Sequence, residues 1–278
     1  MIFGWFQSLM LGIITGLTEI LPVSAQAHSR IVTKLMGKGD PNALMMLMIH
    51  FGILAALYAN SHTHILKMAR ARKMSRIPKR KRKRPLDTRS LMDLKLLITM
   101  MLPPVLMFLI WPKVSAISSN MIIMATMLFL NGLVLYIPQF LPSSNKDCRT
   151  LSRVEGLLMG VGGALYAIPG LSGMGAALSA ASVTGVERKY GLQMILMMQM
   201  SVMGGYIVYD LLDLLGNGTG YFTGLILLAD LLAAIAAFVG ATLAVRILRY
   251  LAEEKGFASF AYYSWGLALF AFIFNLMA

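Results

Sequence analysis

Charge and cysteine are what this sequence has least of. Only 13% of its 278 residues are charged, whereas a soluble domain carries roughly 25%. Hydrophobic residues make up 58%, above the roughly 45–50% of a soluble domain, and the mean hydropathy is +0.71. This balance excludes an ordinary soluble domain and places the chain in lipid. The single Cys148 excludes an intrachain disulfide and says little about compartment. No charged side chain precedes Glu19, so the basic n-region of a signal peptide is missing, although Ala25–Ala27 reads Ala-Gln-Ala like a cleavage site.

The charge that is present is unevenly placed. Of 25 basic residues, 13 lie between Lys67 and Lys95, including the run Lys79–Arg84, and the net charge is +13. An isolated basic run could bind nucleic acid. Between two apolar stretches it reads instead as a cytoplasmic loop under the positive-inside rule, with attraction to anionic lipid headgroups. No nucleic-acid partner is expected.

Six stretches are long enough to cross a bilayer: Ala43–Ala59, Leu94–Trp111, Ser119–Ile137, Leu192–Leu212, Tyr221–Val245 and Phe257–Ala278. Each approaches the 17 to 20 apolar residues, roughly, that a span requires. With the basic loop 67–95 inside, residues 37–42 fall outside and Lys146, Arg149 and Arg153 inside. Arg246, Arg249 and Lys255 are also inside, and the C-terminus is outside.

Residues 1–36 and 154–185 do not fit this pattern. The first is broken at Leu21-Pro22-Val23-Ser24 and the second at Ile168-Pro169-Gly170-Leu171-Ser172, leaving halves too short to cross alone. The two regions resemble each other at an offset of 148, as in Leu9/Leu157, Gly12/Gly160, Ile20/Ile168 and Ser24/Ser172. The reading is one polytopic all-α membrane domain over 1–278, with about six transmembrane helices and two opposed re-entrant helical hairpins in an inverted-topology repeat. The first repeat covers residues 1–137 and the second 154–278, approximately. Two kinked spanning helices are the alternative. In either case Ser24 and Ser172 are placed to cap the helix after each break.

An ionisable residue at membrane depth is a functional candidate. Glu19 precedes the first break, and His28 follows Ser24 by one helical turn. A carboxylate, a hydroxyl and an imidazole near a helix N-terminus suit an anionic headgroup. Glu19 could hold Mg²⁺ or Ca²⁺ against phosphate oxygens, and His28 could act as acid, base or nucleophile. The competing reading is a satisfied polar cluster that only knits the hairpin. Asp230, alone in an apolar span, reads as a hydrogen-bonding partner of a neighbouring helix. His62 and His64 make a poor metal signal.

The stretch Gly16-Leu-Thr-Glu-Ile-Leu-Pro-Val-Ser24, leading to His28, resembles the first signature of bacterial undecaprenyl-diphosphate phosphatases, the bacitracin-resistance type. Pro169–Lys189 is similar to their second, Pro-Gly-x-Ser-Arg-Ser-Gly-x-Thr followed by Gly-x-x-Arg-Lys. The resemblance implies an enzyme of the bacterial plasma membrane that removes one phosphate from undecaprenyl diphosphate, recycling the carrier lipid of peptidoglycan synthesis. It also implies a divalent cation and an active site open to the outer face. Glu19 and His28, which match the signature's second glutamate and its histidine, are the catalytic candidates together with Ser24 from the residue reading above, and Glu19 is also the metal-ligand candidate. Gly170, Ser172 and Gly173 are the phosphate-binding candidates.

Departures from the signatures are specific. Thr15 replaces the first glutamate of a Glu-x-x-x-Glu pair and Ala25 a second serine, while Gly173, Met174 and Ala177 replace arginine, serine and threonine. Losing a bidentate phosphate clamp weakens transition-state stabilisation. Arg30 could return the missing positive charge from the opposite hairpin, or it could pair with Glu19 or snorkel to the interface. Two functions follow: hydrolysis of a polyprenyl diphosphate, or non-catalytic binding or translocation of polyprenyl phosphate. Association as a homodimer stays open.

Overall fold

The computed structural model describes residues 4–111, 114, 120–142, 145–217, 224–254 and 257–277. Among these residues there is no β-strand, and the α-helices in chain order are α1 (Trp5–Ile20), α2 (Ala25–Leu35), α3 (Ala43–Ser75), α4 (Thr88–Met107), α5 (Met121–Tyr136), α6 (Arg153–Ala164), α7 (Gly173–Val183), α8 (Arg188–Asn217), α9 (Gly224–Glu254) and α10 (Ser259–Met277). Six of them (α3, α4, α5, α8, α9 and α10) are long and apolar enough to cross a membrane. They correspond one for one to the six spans expected from hydropathy, so the chain is an all-helical, multi-pass membrane protein. Ser119, Tyr221, Lys255 and Ala278, at or beyond the ends of those spans, lie outside the described residues.

The helix beginning at Ala43 runs further than its apolar stretch. It spans 33 residues, about 50 Å at 1.5 Å per residue, and exceeds a hydrocarbon core of about 30 Å. The excess lies at its basic end, where Arg72 and Lys73 in the last turn complement the helix dipole.

The four remaining helices form two short pairs. In the first, α1 ends at Ile20 because Leu21 precedes Pro22 and is extended, and α2 restarts under a Ser24 cap. In the second, α6 ends in a 3₁₀ turn at Leu165–Ala167, and α7 restarts under a Ser172 cap. Both expected serine caps are present.

Helix pairing follows a two-part pattern. Packing of α1 on α9 is matched by α6 on α4, α3 on α9 by α8 on α4, and α1 on α2 by α6 on α7. Gly12 and Gly160 both lie at close approaches between these helices. A Cβ at Gly12 would strike the Ala233 carbonyl of α9, and one at Gly160 would strike the Met100 carbonyl of α4. Glycine is required at both because backbone meets backbone there.

One expectation is corrected. Asp230 is fully buried in α9, but neither carboxylate oxygen has a hydrogen-bond partner among the described residues.

Candidate functional site

The tips of the two short helix pairs meet. At the first, the Ser24 hydroxyl oxygen accepts from the Ala27 amide at 3.4 Å, completing its cap, and from the Gly170 amide at 3.0 Å across the interface. Gly170 has φ +102°, and an added Cβ would lie 2.6 Å from the Met124 carbonyl oxygen, so only glycine fits. At the second tip, the Ser172 hydroxyl accepts from the Gly175 amide at 3.1 Å. Asn131 of α5 joins both tips: its Oδ1 accepts from the Ser172 amide at 2.9 Å and its Nδ2 donates to the Pro22 carbonyl at 3.5 Å. Irregular backbone buried away from water needs its polar groups satisfied in this way.

Glu19 lies one residue before the end of α1, half-buried, where it accepts a hydrogen bond from Gln199 Nε2 at 3.4 Å. It borders two spaces. A void of about 20 Å³, room for one water, lies between the tips and touches Ser24, Ser172 and Gly173. A cavity of about 480 Å³ opens beside it, lined by Gln26, Ser29 and Arg30 of α2, His50 of α3, and Tyr206 and Asp210 of α8. That volume lies within the range of small-molecule sites, roughly 300–1,000 Å³. Asp40 and Pro41 line it too, so it lies at the end of α3 opposite the basic segment.

The residues nominated from sequence are therefore only partly brought together. Glu19 and Arg30 line the same cavity, on opposite sides of the first break. Ser24, Gly170 and Ser172 sit at the tips, with the Ser24 hydroxyl oxygen and the Gly170 amide bonded to each other. His28 is not among the lining residues. Its Nδ1 lies 2.6 Å from the Ser24 carbonyl and its Nε2 2.7 Å from the Tyr263 hydroxyl, over which it stacks with an interplanar angle of 3°. The carbonyl can only accept, so Nδ1 carries the proton and Nε2 accepts from Tyr263.

Gly173 borders the small void but has no room for a side chain. A Cβ there would strike the Gly163 carbonyl oxygen and lie 3.0 Å from Tyr166. The arginine of the second signature is thus excluded by how α7 packs on α6.

The surroundings of Glu19 fit an oxygen-seeking cation. Thr15 Oγ1, one turn before it, and Gln199 Oε1, on the amide that touches it, are buried with no hydrogen-bond partner among the described residues. One carboxylate with neutral oxygens suits Mg²⁺, which completes its shell with water and phosphate. Among the described residues no group of three or more His, Cys, Asp or Glu converges on one point.

Gln26, His50, Tyr206 and Asp210 belong to the site and are not singled out by the sequence motifs. His50 Nδ1 and Asp210 Oδ2 form a buried pair at 2.6 Å, and Tyr206 stacks on the His50 ring at 4.7 Å. Gln26 Nε2 donates to the Tyr206 hydroxyl at 3.1 Å. The available signal was depth: His50 and Asp210 are ionisable residues inside predicted spans.

The model of the family described as bacitracin resistance protein BacA matches residues 8–270. The chain is 30% identical over 264 residues to the undecaprenyl-diphosphatase of Nocardioides sp., covering 93% of this chain and 92% of that one. It is 27% identical to the undecaprenyl-diphosphatase of Methanobrevibacter smithii, with 96% of each chain covered. With that of Desulforapulum autotrophicum it shares 24%, covering 98% of this chain and 99% of the other.

Proposed function

Because the chain belongs to the bacitracin resistance protein BacA family, we propose that it hydrolyses a polyprenyl diphosphate to the monophosphate and inorganic phosphate. The observation that carries this reading is the placement of Glu19 and Arg30 on one cavity of headgroup size. Arg30 provides the cationic contact to phosphate that Gly173 cannot. A guanidinium suits this role because it can bind two phosphate oxygens at once.

Glu19, with Thr15 and Gln199 beside it, would hold a divalent cation whose chemistry is to neutralise charge on the transferring phosphoryl group. Ser24, Gly170 and Ser172 keep the two tips in register at the cavity edge, with Ser172 and the Gly173 backbone nearest the second tip. His28 braces α2 against α10 through Tyr263. In a dry site such support fixes the polar groups that meet the transition state.

The two short helix pairs serve as re-entrant hairpins of opposite orientation. In their support, the pairs have 16 and 11 and then 12 and 11 residues, and the helix pairing of the two halves corresponds. The basic segment 67–95 faces the cytoplasm and its anionic lipids, so the cavity opens on the outer face of the plasma membrane. Release of phosphate from undecaprenyl diphosphate by the purified protein, with and without Mg²⁺, tests the reading. Lipid binding without release would favour a non-catalytic binder or translocator.

A further inference from the structure

We infer that His50, oriented by Asp210, is the group that takes the proton from the attacking water. This inference rests on the phosphatase reading above and names a residue outside both signatures.

His50 and Asp210 come from different spanning helices, 160 residues apart, and their side chains are 4% and 11% exposed. Removing two ionisable groups from water costs more than a pair normally returns in stability. Within a membrane protein such a pair is therefore read first as functional. It also lines the cavity that Glu19 and Arg30 line.

The bonding fixes the tautomer. In the neutral ring the Asp210 carboxylate accepts from Nδ1–H, and the lone pair is on Nε2. Nε2 has no hydrogen-bond partner among the described residues. The ring plane is fixed by Tyr206, stacked at an interplanar angle of 10°, and Tyr206 is itself tied to Gln26. A carboxylate and the imidazole it orients, on the wall of a cavity, form the base half of a hydrolytic site. His28 has no such freedom, since both its nitrogens are engaged.

In the step, Nε2 accepts a proton as the water oxygen forms a bond to the terminal phosphorus. The bond from that phosphorus to the bridging oxygen breaks, and its electron pair stays with the departing polyprenyl monophosphate. The proton on Nε2 then passes to that departing phosphate oxygen. One water is consumed, one inorganic phosphate is released, and His50 returns to its starting state. Water is the nucleophile, which suits a chain where Ala25, Met174 and Ala177 stand in place of hydroxyl side chains. Asp210 is a positioning residue.

The test uses purified full-length protein and undecaprenyl diphosphate with Mg²⁺. Replacing His50→Gln should lower kcat by about 10²–10⁴-fold while KM changes little, as loss of a general base does. Asp210→Asn should fall in the same way, because the amide favours the wrong tautomer. The acid limb of the parent's pH–rate profile should flatten in His50→Gln and shift in Asp210→Asn, where the imidazole remains without its carboxylate. Glu19, Arg30, Asp40, Asp213, Tyr206 and Tyr209 also line this cavity and remain in each variant. His50→Ala should regain part of its rate when imidazole is added, which a fold-only role would not permit.

If the parent turns over and His50→Gln matches its kcat, or His50→Ala ignores imidazole, the His50 assignment is wrong while the phosphatase reading stands. If the parent binds lipid and releases no phosphate, both fall.

Discussion

The Gly170 amide donates to the Ser24 hydroxyl oxygen at 3.0 Å, joining residues 146 positions apart at the tips of two broken helix pairs. The same oxygen caps α2 through Ala27. One side chain therefore satisfies two buried amides.

Ser24→Ala should for this reason cost more than an ordinary cap. Loss of a cap is worth about 1 kcal/mol. Leaving the Gly170 amide unsatisfied adds roughly 1–3 kcal/mol. Unfolding of the detergent-solubilised protein should register the sum, with Ser24→Thr losing much less.

Gly173→Arg should fail to restore the signature clamp. From sequence alone, returning arginine there, with Met174→Ser and Ala177→Thr, would be expected to repair phosphate binding. The structure reverses that expectation, because even the first side-chain carbon meets the Gly163 carbonyl. Backbone cannot yield as a flexible side chain does. Even Gly173→Ala should lower the yield of folded protein, and Gly173→Arg should lower it further.

Arg30→Ala should weaken binding of the diphosphate by about 10- to 150-fold, the scale of a charge-assisted contact of roughly 1.5–3 kcal/mol. Arg30→Lys should recover only part, since an ammonium does not reproduce the planar fork. Equilibrium binding to the parent and both variants checks this. Unchanged affinity in Arg30→Ala would make Arg30 a bystander on the cavity wall.

What was legible follows from how strictly each feature is dictated. The six spans were legible because lipid demands long apolar helices. The caps at Ser24 and Ser172 were legible because a proline stands just before each restart. Meeting of the tips was foreshadowed by the matched breaks. Partnership of His50 with Asp210 was not, because two single residues on separate apolar helices carry no spacing relation. Exclusion of a side chain at Gly173 was equally hidden, as it depends on how closely two helix backbones approach.

Orientation can be read by labelling single cysteines in intact cells with an impermeant probe, in a background where Cys148 is replaced. Positions Asn42 and Gly216 should react, because they lie at the cavity end of α3 and the far end of α8. Lys81, in the basic segment, should be spared. Labelling at Lys81 from outside would place the cavity on the cytoplasmic face.

The most direct measurement is inorganic phosphate released from undecaprenyl diphosphate by the parent and by Glu19→Gln, assayed side by side with Mg²⁺. The parent should turn over steadily. Glu19→Gln should remain folded and lose roughly 10²-fold or more of the rate, the usual loss when a transition-state contact is removed. Equal release by the two proteins, or lipid binding by the parent with no phosphate released, would contradict hydrolysis at the Glu19 cavity.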